Sequence, residues 1–188
     1  MKRFASFAAL IVCLAIGQVQ AQNQKKLLHK QERQEQKAQE EFQDSLLFRQ
    51  AYQAIDGKSF TLEAGQVVFK GGQTAFVSTS TNFISVDGDM AVVQIAFNGA
   101  SSGLNGLGGI TVKGSVSGYR VKTDKAGNVY VSMNVVGTAV SATVSITLYN
   151  GSNQASVTVN PNFNSNRLTL NGKIVPFSQS TVFQGTAY

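Results

Sequence analysis

The sequence predicts a mainly β protein: an antiparallel meander of roughly ten strands that closes into a barrel or bent sandwich, preceded by one N-terminal helix. Three observations predict this fold. The hydrophobic period changes from helical to two near residue 58, long runs then alternate apolar and polar residues, and short turn signals separate those runs. A long meander is expected to close, because closure removes its exposed edges.

The first 21 residues have the features of a secretory signal peptide. Lys2 and Arg3 precede an apolar run over residues 4–17, which is too short to span a bilayer comfortably. Val19 and Ala21 occupy the positions that a signal peptidase reads. We therefore expect cleavage near Ala21, a periplasmic or otherwise exported protein, and no integral membrane span after signal removal.

The segment that follows predicts a polar tether and then a helix. Residues 22–37 are mostly Gln, Lys, Glu and Arg, which favour helix but form no apolar stripe. Further on, apolar residues follow the spacing i, i+3, i+4, i+7 at Phe48, Ala51, Tyr52 and Ile55. We expect a helix over 38–57 whose second half packs on the β domain, residues 58–188.

Strands and hairpin turns account for the rest of the chain. Apolar residues alternate with Ser, Thr and Asn most clearly over 129–135, 140–148 and 155–159, which indicates strands with one buried face. Turn signals occur at Gly71-Gly72, Asp87-Gly88, residues 125–128, Asn150-Gly151 and Asn171-Gly172. Asn-Gly and Asp-Gly suit type I′ hairpins, because both central residues need a positive φ.

A glycine-rich segment, NGASSGLNGLGGITVKG at residues 98–114, raises the question of a nucleotide site. The dinucleotide fingerprint fails because Thr111 stands where its third glycine should be, and the P-loop fails because Ser115 replaces its lysine. A strand follows the segment, whereas both motifs need a helix N-terminus. We predict a flexible connection between strands 90–97 and 110–122. Gly114 and Gly118 within the second strand predict a bend or a close backbone approach.

This connection carries one candidate site for a ligand or partner: Leu104, Asn105 and Leu107. The residues Ile110, Val112 and Val116 share one parity, which we take as inward. Carried back along the chain, that parity points Leu107 outward, and exposed apolar side chains can mark interaction sites. The structural alternative is that the leucines cap the core.

A second candidate site lies in NPNFNSNR, at residues Asn162, Phe163, Asn164 and Arg167. Asn amides and Arg can pair with sugar hydroxyls or a carboxylate, and Phe163 offers a stacking face. The structural alternative is a connection held by Asx-turns.

No catalytic, metal or cofactor site is predicted. The only cysteine, Cys13, lies in the signal, and the only histidine, His29, lies in the tether, so a thiol nucleophile, a Ser–His pair and a nitrogen–sulfur metal site are not expected. Glu63 and Asp87 are a conceivable hydrolase pair, but nothing in their spacing supports one. The basic excess is scattered, so no nucleic-acid partner is expected.

Several runs resemble a known family. VFKGGQTAFVSTSTNFISVDGD, KTDKAGNVYVSMNVVG and ATVSITLYNGSNQASVTVNPNFNSNRLTLNGKIVP are similar to the bacterial domain-of-unknown-function family 4251, over residues 45–185. The resemblance implies an exported protein of a Gram-negative bacterium that carries a signal peptide. It implies no activity, ligand or catalytic residue, because the family has none assigned.

The sequence therefore favours a non-enzymatic periplasmic binding module for a small apolar or glycan-like ligand, or an envelope protein, held at the mouth of a barrel. The alternatives are a structural cell-envelope protein acting through its N-terminal helix and, less favoured, a carboxylate-dependent hydrolase. An open apolar cavity would favour the binding module. A barrel filled by side chains would favour the structural role, and two facing carboxylates would favour the enzyme.

Overall fold

A computed structural model describes residues 2–97, 108–138, 141–162 and 167–182. Its helix is α1 (Lys2–Asp56), and a short 3-10 helix lies near the C-terminus (Phe177–Gln179). The nine strands are β1 (Ser59–Phe69), β2 (Thr74–Phe76), β3 (Phe83–Asp87), β4 (Met90–Phe97), β5 (Gly108–Thr123), β6 (Val129–Gly137), β7 (Ser141–Leu148), β8 (Gln154–Pro161) and β9 (Leu168–Pro176). The predicted fold class, one N-terminal helix before an antiparallel β domain, is confirmed.

The helix α1 is longer than the sequence predicted. It runs through residues 22–37, the segment expected to be a tether, because Gln, Lys, Glu and Arg are good helix formers and no Gly or Pro interrupts them. Side chains from 24 to 44 are exposed. Up to Gln43 the helix forms one compact unit, and from Asp44 it belongs with the strands. Among the described residues, no helix combines the length and the apolar character needed to cross a membrane.

The last turns of α1 pack against the strands. Ala51 and Ile55 are fully buried in the core, and Phe48 packs against it. The Tyr119 hydroxyl on β5 donates a 2.6 Å hydrogen bond to the Ile55 carbonyl oxygen, which satisfies one of the carbonyls that a helix end leaves without an intrahelical partner. The left-handed residue that ends the helix is Lys58, with φ 51°. The C-terminal turns are thus fixed both by apolar burial and by a specific hydrogen bond.

Eight of the strands close into a barrel. All neighbouring pairs are antiparallel, in the order β1, β3, β4, β5, β6, β7, β8 and β9, and β9 returns to pair with β1. The short strand β2 pairs with the far end of β1, beyond the residues that pair with β3. Closure provides both edges of β1 with backbone partners, as the meander argument predicted.

Side chains fill the barrel interior. In β6 the inward residues alternate strictly with exposed ones, and the other strands contribute residues of the same parity to one continuous core. The largest fully buried core side chains are Phe60, Ile55, Leu62, Ile84, Ile95, Met133, Ile146, Leu148, Leu170 and Ile174. The described part of the interior is therefore a packed core rather than an open ligand chamber.

The turn predicted at Asn171-Gly172 is wrong, because both residues lie inside β9. They pair with β1 where its register shifts between Ala64 and Gln66. A Cβ at Gly172 would meet the backbone of Glu63, so glycine is required there by a close approach of two strands rather than by a turn. The other four predicted turns are described as turns, and each has a glycine with positive φ, at Gly72, Gly88, Gly127 and Gly151. Asp87 and Asn150 do not have a positive φ, so the two Asx-Gly pairs do not adopt the type I′ conformation that the sequence predicted.

The two glycines of β5 correspond to the two predicted alternatives, a close backbone approach at Gly114 and a bend at Gly118. A Cβ at Gly114 would meet the carbonyl of Val136 on β6, which is a close backbone approach. Gly118 has a φ of 64° and lies in the register shift between Ser117 and Arg120. That bulge increases the local bend of a strand that is 16 residues long.

Candidate functional site: a cleft on the outer face of the barrel

Most of the loop residues predicted to bind a ligand lie outside the described residues: Leu104, Asn105, Leu107, Phe163 and Asn164. Two of the predicted site residues are described, and both are exposed: Asn162 after β8 and Arg167 before β9. Because neighbouring strands are antiparallel, the strand ends that flank both connections lie at the same end of the barrel. The C-terminus of α1, which leads into β1, lies at the opposite end of the barrel.

Asn162 has a structural partner. Its backbone N–H donates to the Ser141 carbonyl and its side-chain amide donates to the Ser141 hydroxyl, both at 2.9 Å. These bonds tie the end of β8 to the start of β7. The amide group predicted to face a ligand is therefore already used to hold two strand ends together.

The cleft that the described residues form lies on the outside of the barrel. Its volume is about 330 Å³, at the lower end of the range for small-molecule sites. It is lined by Thr61, Phe83, Ser85, Asp87, Met90, Ala91, Val92, Phe177, Ser180 and Val182. These residues come from β1, β3 and β4 and from the chain that follows β9.

The floor of the cleft is a row of outward residues on three neighbouring strands. Thr61 pairs with Ser85, and Ser85 pairs with Val92. Thr61 is 0% exposed and Ser85 is 6% exposed. Their hydroxyl oxygens are 3.2 Å apart, within hydrogen-bond distance of each other. Two buried hydroxyls thus lie side by side on a face of the barrel that points away from its core.

Phe83 forms the apolar part of the floor. Ile84 and Val86 belong to the core, so Phe83 points to the opposite face, because successive side chains in a strand alternate. It is nevertheless only 1% exposed. An outward aromatic side chain that is this deeply buried must be covered from outside the barrel.

The cover is the strap, which we define as residues 177–182. It begins with the 3-10 helix and is anchored where the Ser180 hydroxyl donates a 2.8 Å hydrogen bond to Glu63 Oε1. Phe177 and Met90, both lining residues of the cleft, remain 42% and 48% exposed. Asp87 also lines the cleft and accepts a 3.4 Å hydrogen bond from the Ser59 hydroxyl. The strap thus leaves apolar surface open to solvent beside the buried floor.

The charged groups around the cleft do not form a hydrolase pair of ordinary geometry. Glu63 lies opposite Phe83 and Asp87 lies opposite Ser59, which separates the two carboxylates by four positions, or roughly 13 Å along the strands. The carboxyl groups of glycosidases are only about 5 to 9.5 Å apart. Within the described residues, no three His, Cys, Asp or Glu side chains gather as a metal site.

One feature of the sequence of β3 indicates this cleft, although the candidate site residues were all predicted in loops. In the run FISV, apolar residues occupy both parities, since Phe83 points outward while Ile84 and Val86 point inward. A strand with only one buried face has no need for an outward Phe. The pattern therefore indicates a second covered surface, but the strap that covers it follows about 90 residues later and carries no motif.

Comparisons with known proteins identify the family. The model described as Domain of unknown function (DUF4251) matches residues 42–174. A crystal structure of a DUF4251 family protein from Bacteroides eggerthii DSM 20697 is 45% identical with a TM-score of 0.69, and the alignment covers 79% of this chain and 99% of that chain. No curated protein matches the chain. The predicted resemblance is confirmed: the chain belongs to the DUF4251 family.

Proposed function

We propose that this protein is an exported, non-enzymatic binding module that holds a small, mainly apolar ligand in the outer cleft. The observation that carries this proposal is the buried outward side chain of Phe83, which is covered by the strap and opens onto a cleft of about 330 Å³. Export follows from the signal-peptide features of residues 1–21.

The packed interior moves the proposed site from the mouth of the barrel to its outer wall. Ligand sites are typically concave, mostly apolar and provided with a few fixed polar groups. Phe83, Val92, Met90 and Phe177 supply apolar surface, and the polar groups of the lining are few: the buried hydroxyl pair, the Ser180 hydroxyl and the Asp87 carboxylate. This composition favours an apolar ligand over a glycan, which would need many more hydrogen-bond partners.

Native mass spectrometry of protein purified from its own cell envelope tests this function. We expect a small-molecule adduct on the wild-type protein. Val92→Trp, which adds bulk to the cleft floor, should remove the adduct. Val136→Trp is the matched control, because Val136 also points outward from a strand but lies on β6, outside the cleft lining. It should retain the adduct.

Melting temperatures of the three proteins show whether each variant is folded. An adduct that survives in folded Val92→Trp would place the ligand elsewhere and refute the proposal. Loss of the adduct in both variants would also count against the cleft, since the control substitution lies away from it.

One observation favours the structural envelope role as a second candidate. The side chains of Leu27, Leu28 and Phe42 are exposed on the N-terminal part of α1, and exposed apolar side chains on a helix can provide contacts for a partner protein. Leu27→Ser with Leu28→Ser separates the two functions. If the protein acts through α1, the substitutions should release it from envelope fractions. If it acts through ligand binding in the cleft, they should leave the small-molecule adduct unchanged.

A further inference from the structure

We infer that the hydroxyl pair of Thr61 and Ser85 makes the cleft selective for ligands that carry a neutral oxygen acceptor, such as a ketone, ester or amide carbonyl, on an apolar body. This inference rests on the proposed function and names the class of ligand for the same site.

Two hydroxyls have two O–H donors, and the bond between them uses one. Among the described residues, neither hydroxyl makes another hydrogen bond. Whichever oxygen donates within the pair, one proton is left without an acceptor. Because Thr61 and Ser85 are both more than nine-tenths buried and both line the cleft, that proton is available to an acceptor that enters it.

The strands hold this donor in place. Thr61 and Ser85 are paired residues within the antiparallel ladder of β1 and β3, so their Cα atoms are fixed by backbone hydrogen bonds on both strands. Phe83 lies two residues before Ser85 on the same face, and Val92 lies opposite Ser85 on β4. An acceptor over the hydroxyl pair would therefore have apolar surface beside it.

The charges around the cleft select a neutral acceptor. No Lys, Arg or His is among the residues that line it, whereas Asp87 is. A carboxylate or phosphate would enter without a counter-ion and beside a carboxylate, which is unfavourable. A carbonyl oxygen carries no net charge and accepts from a hydroxyl at ordinary distance.

Two probes of similar size and shape test this inference: acetophenone, which carries a carbonyl, and ethylbenzene, which does not. Binding of each probe to the full chain is followed by NMR titration of the backbone amides of Phe83 and Val92, and the ratio of the two dissociation constants is the readout. A protein variant that changes apolar packing alone alters both constants, whereas loss of the donor changes their ratio.

Thr61→Val with Ser85→Ala removes both hydroxyls and nearly preserves volume. We expect the preference for acetophenone over ethylbenzene to fall by about 3- to 10-fold, the change expected for the loss of one neutral hydrogen bond. Ser85→Ala alone should cause a smaller fall and serves if the double variant does not fold. Ser132→Ala with Ser145→Ala is the matched control, because these two serines are also opposite each other on the outer face but lie on β6 and β7.

The outcomes separate this inference from the proposed function. If both probes shift the cleft amides and their ratio is the same in the wild type and the hydroxyl variants, the inference is wrong and the cleft remains a binding site. If the control variant lowers the ratio as much, the inference is also wrong. If neither probe shifts the amides of Phe83 and Val92, both the inference and the apolar-ligand function are overturned.

Discussion

Gly172→Ala should weaken the closure of the barrel between β1 and β9. The added methyl carbon would lie 2.7 Å from the carbonyl carbon of Glu63 and 2.8 Å from the Cα of Ala64, whereas non-bonded carbon atoms normally lie about 3.5 to 4.0 Å apart. The atoms it meets belong to the backbone of the paired strand. The contact can be relieved only by moving β1 away from β9, because no flexible side chain is available to move.

The expected cost is about 2 kcal/mol in the free energy of unfolding, within the range for one extra methyl group in a packed site. Alanine also restricts the unfolded chain more than glycine does, which offsets the cost by roughly 0.4 to 1 kcal/mol. A net loss of about 1 to 2 kcal/mol remains. At about 3 °C for each kcal/mol in a domain of this size, the melting temperature should fall by roughly 3 to 6 °C.

Thermal melting and urea denaturation, both followed by circular dichroism, measure this change. Gly71→Ala is the matched control, because nothing lies within 4 Å of its Cβ position and its φ is not in the left-handed region. It should leave stability unchanged or raise it slightly. If Gly172→Ala and Gly71→Ala both have the melting temperature of the wild type, β1 and β9 do not approach closely at Gly172. A close approach would then not explain the Asn-Gly inside β9.

Four further predictions concern titration, metals and processing. Burial, with a contribution from Asp56, raises the pKa of Tyr119 above its usual value of 10.0. The stability that the protonated phenol contributes is therefore complete below pH 10 and is lost as the pH rises above it. The melting temperature of the wild type should fall more steeply above pH 10 than that of Tyr119→Phe. At pH 7, Tyr119→Phe should cost about 1 kcal/mol through the lost bond to Ile55. Hydrogen bonds from Asn128, the largest cause, and from Tyr130 lower the pKa of Asp124. The stability that the Asp124 carboxylate contributes is present above about pH 4 and is lost as the pH falls through the lowered pKa. Asp124→Asn should therefore make the melting temperature depend less on pH in the acid range. EDTA should leave the melting temperature within a degree or two, since Cys13 and His29 are the only thiol and the only imidazole with which the chain could hold a transition metal. Intact mass of protein from the envelope should correspond to a chain that begins at Gln22, and mature material that retains Met1 would contradict export with cleavage.

The regular parts of the barrel could be predicted from the sequence because burial there follows a local rule. Alternation in β6 and β7 predicts which side chains point inward, and the described turns at Gly88 and Gly151 follow from their Asp-Gly and Asn-Gly signals. Asn171-Gly172 carries the same signal but lies within a strand, because its glycine is required by a partner more than 100 residues away in sequence. Local sequence does not distinguish a positive φ from a close approach.

The candidate site could not be predicted by the same reasoning, because it depends on a contact between distant segments. Loop residues with amide or apolar side chains are natural candidates for a binding site in a sequence. The amide of Asn162 instead donates a hydrogen bond to Ser141 and holds two strand ends together. Thr61 and Ser85 read as ordinary polar positions on outward faces. They are buried at a cleft whose other wall is the strap, anchored by Ser180 on Glu63.

Closure of the barrel alone does not explain the outward face of β3. In β6, β7 and β8 the outward residues are mainly Ser, Thr and Asn, which is sufficient for a face in contact with water. The outward Phe83 is buried beside the strap, yet Phe177 and Met90 in the same cleft remain partly exposed. A cover that served stability alone would bury the apolar side chains it brings together, since exposed apolar area contributes nothing to folding. The incomplete burial of the apolar side chains beside Phe83 is what we expect of a binding cleft rather than of a second small core, and it supports the proposal that a ligand binds between β3, β4 and the strap.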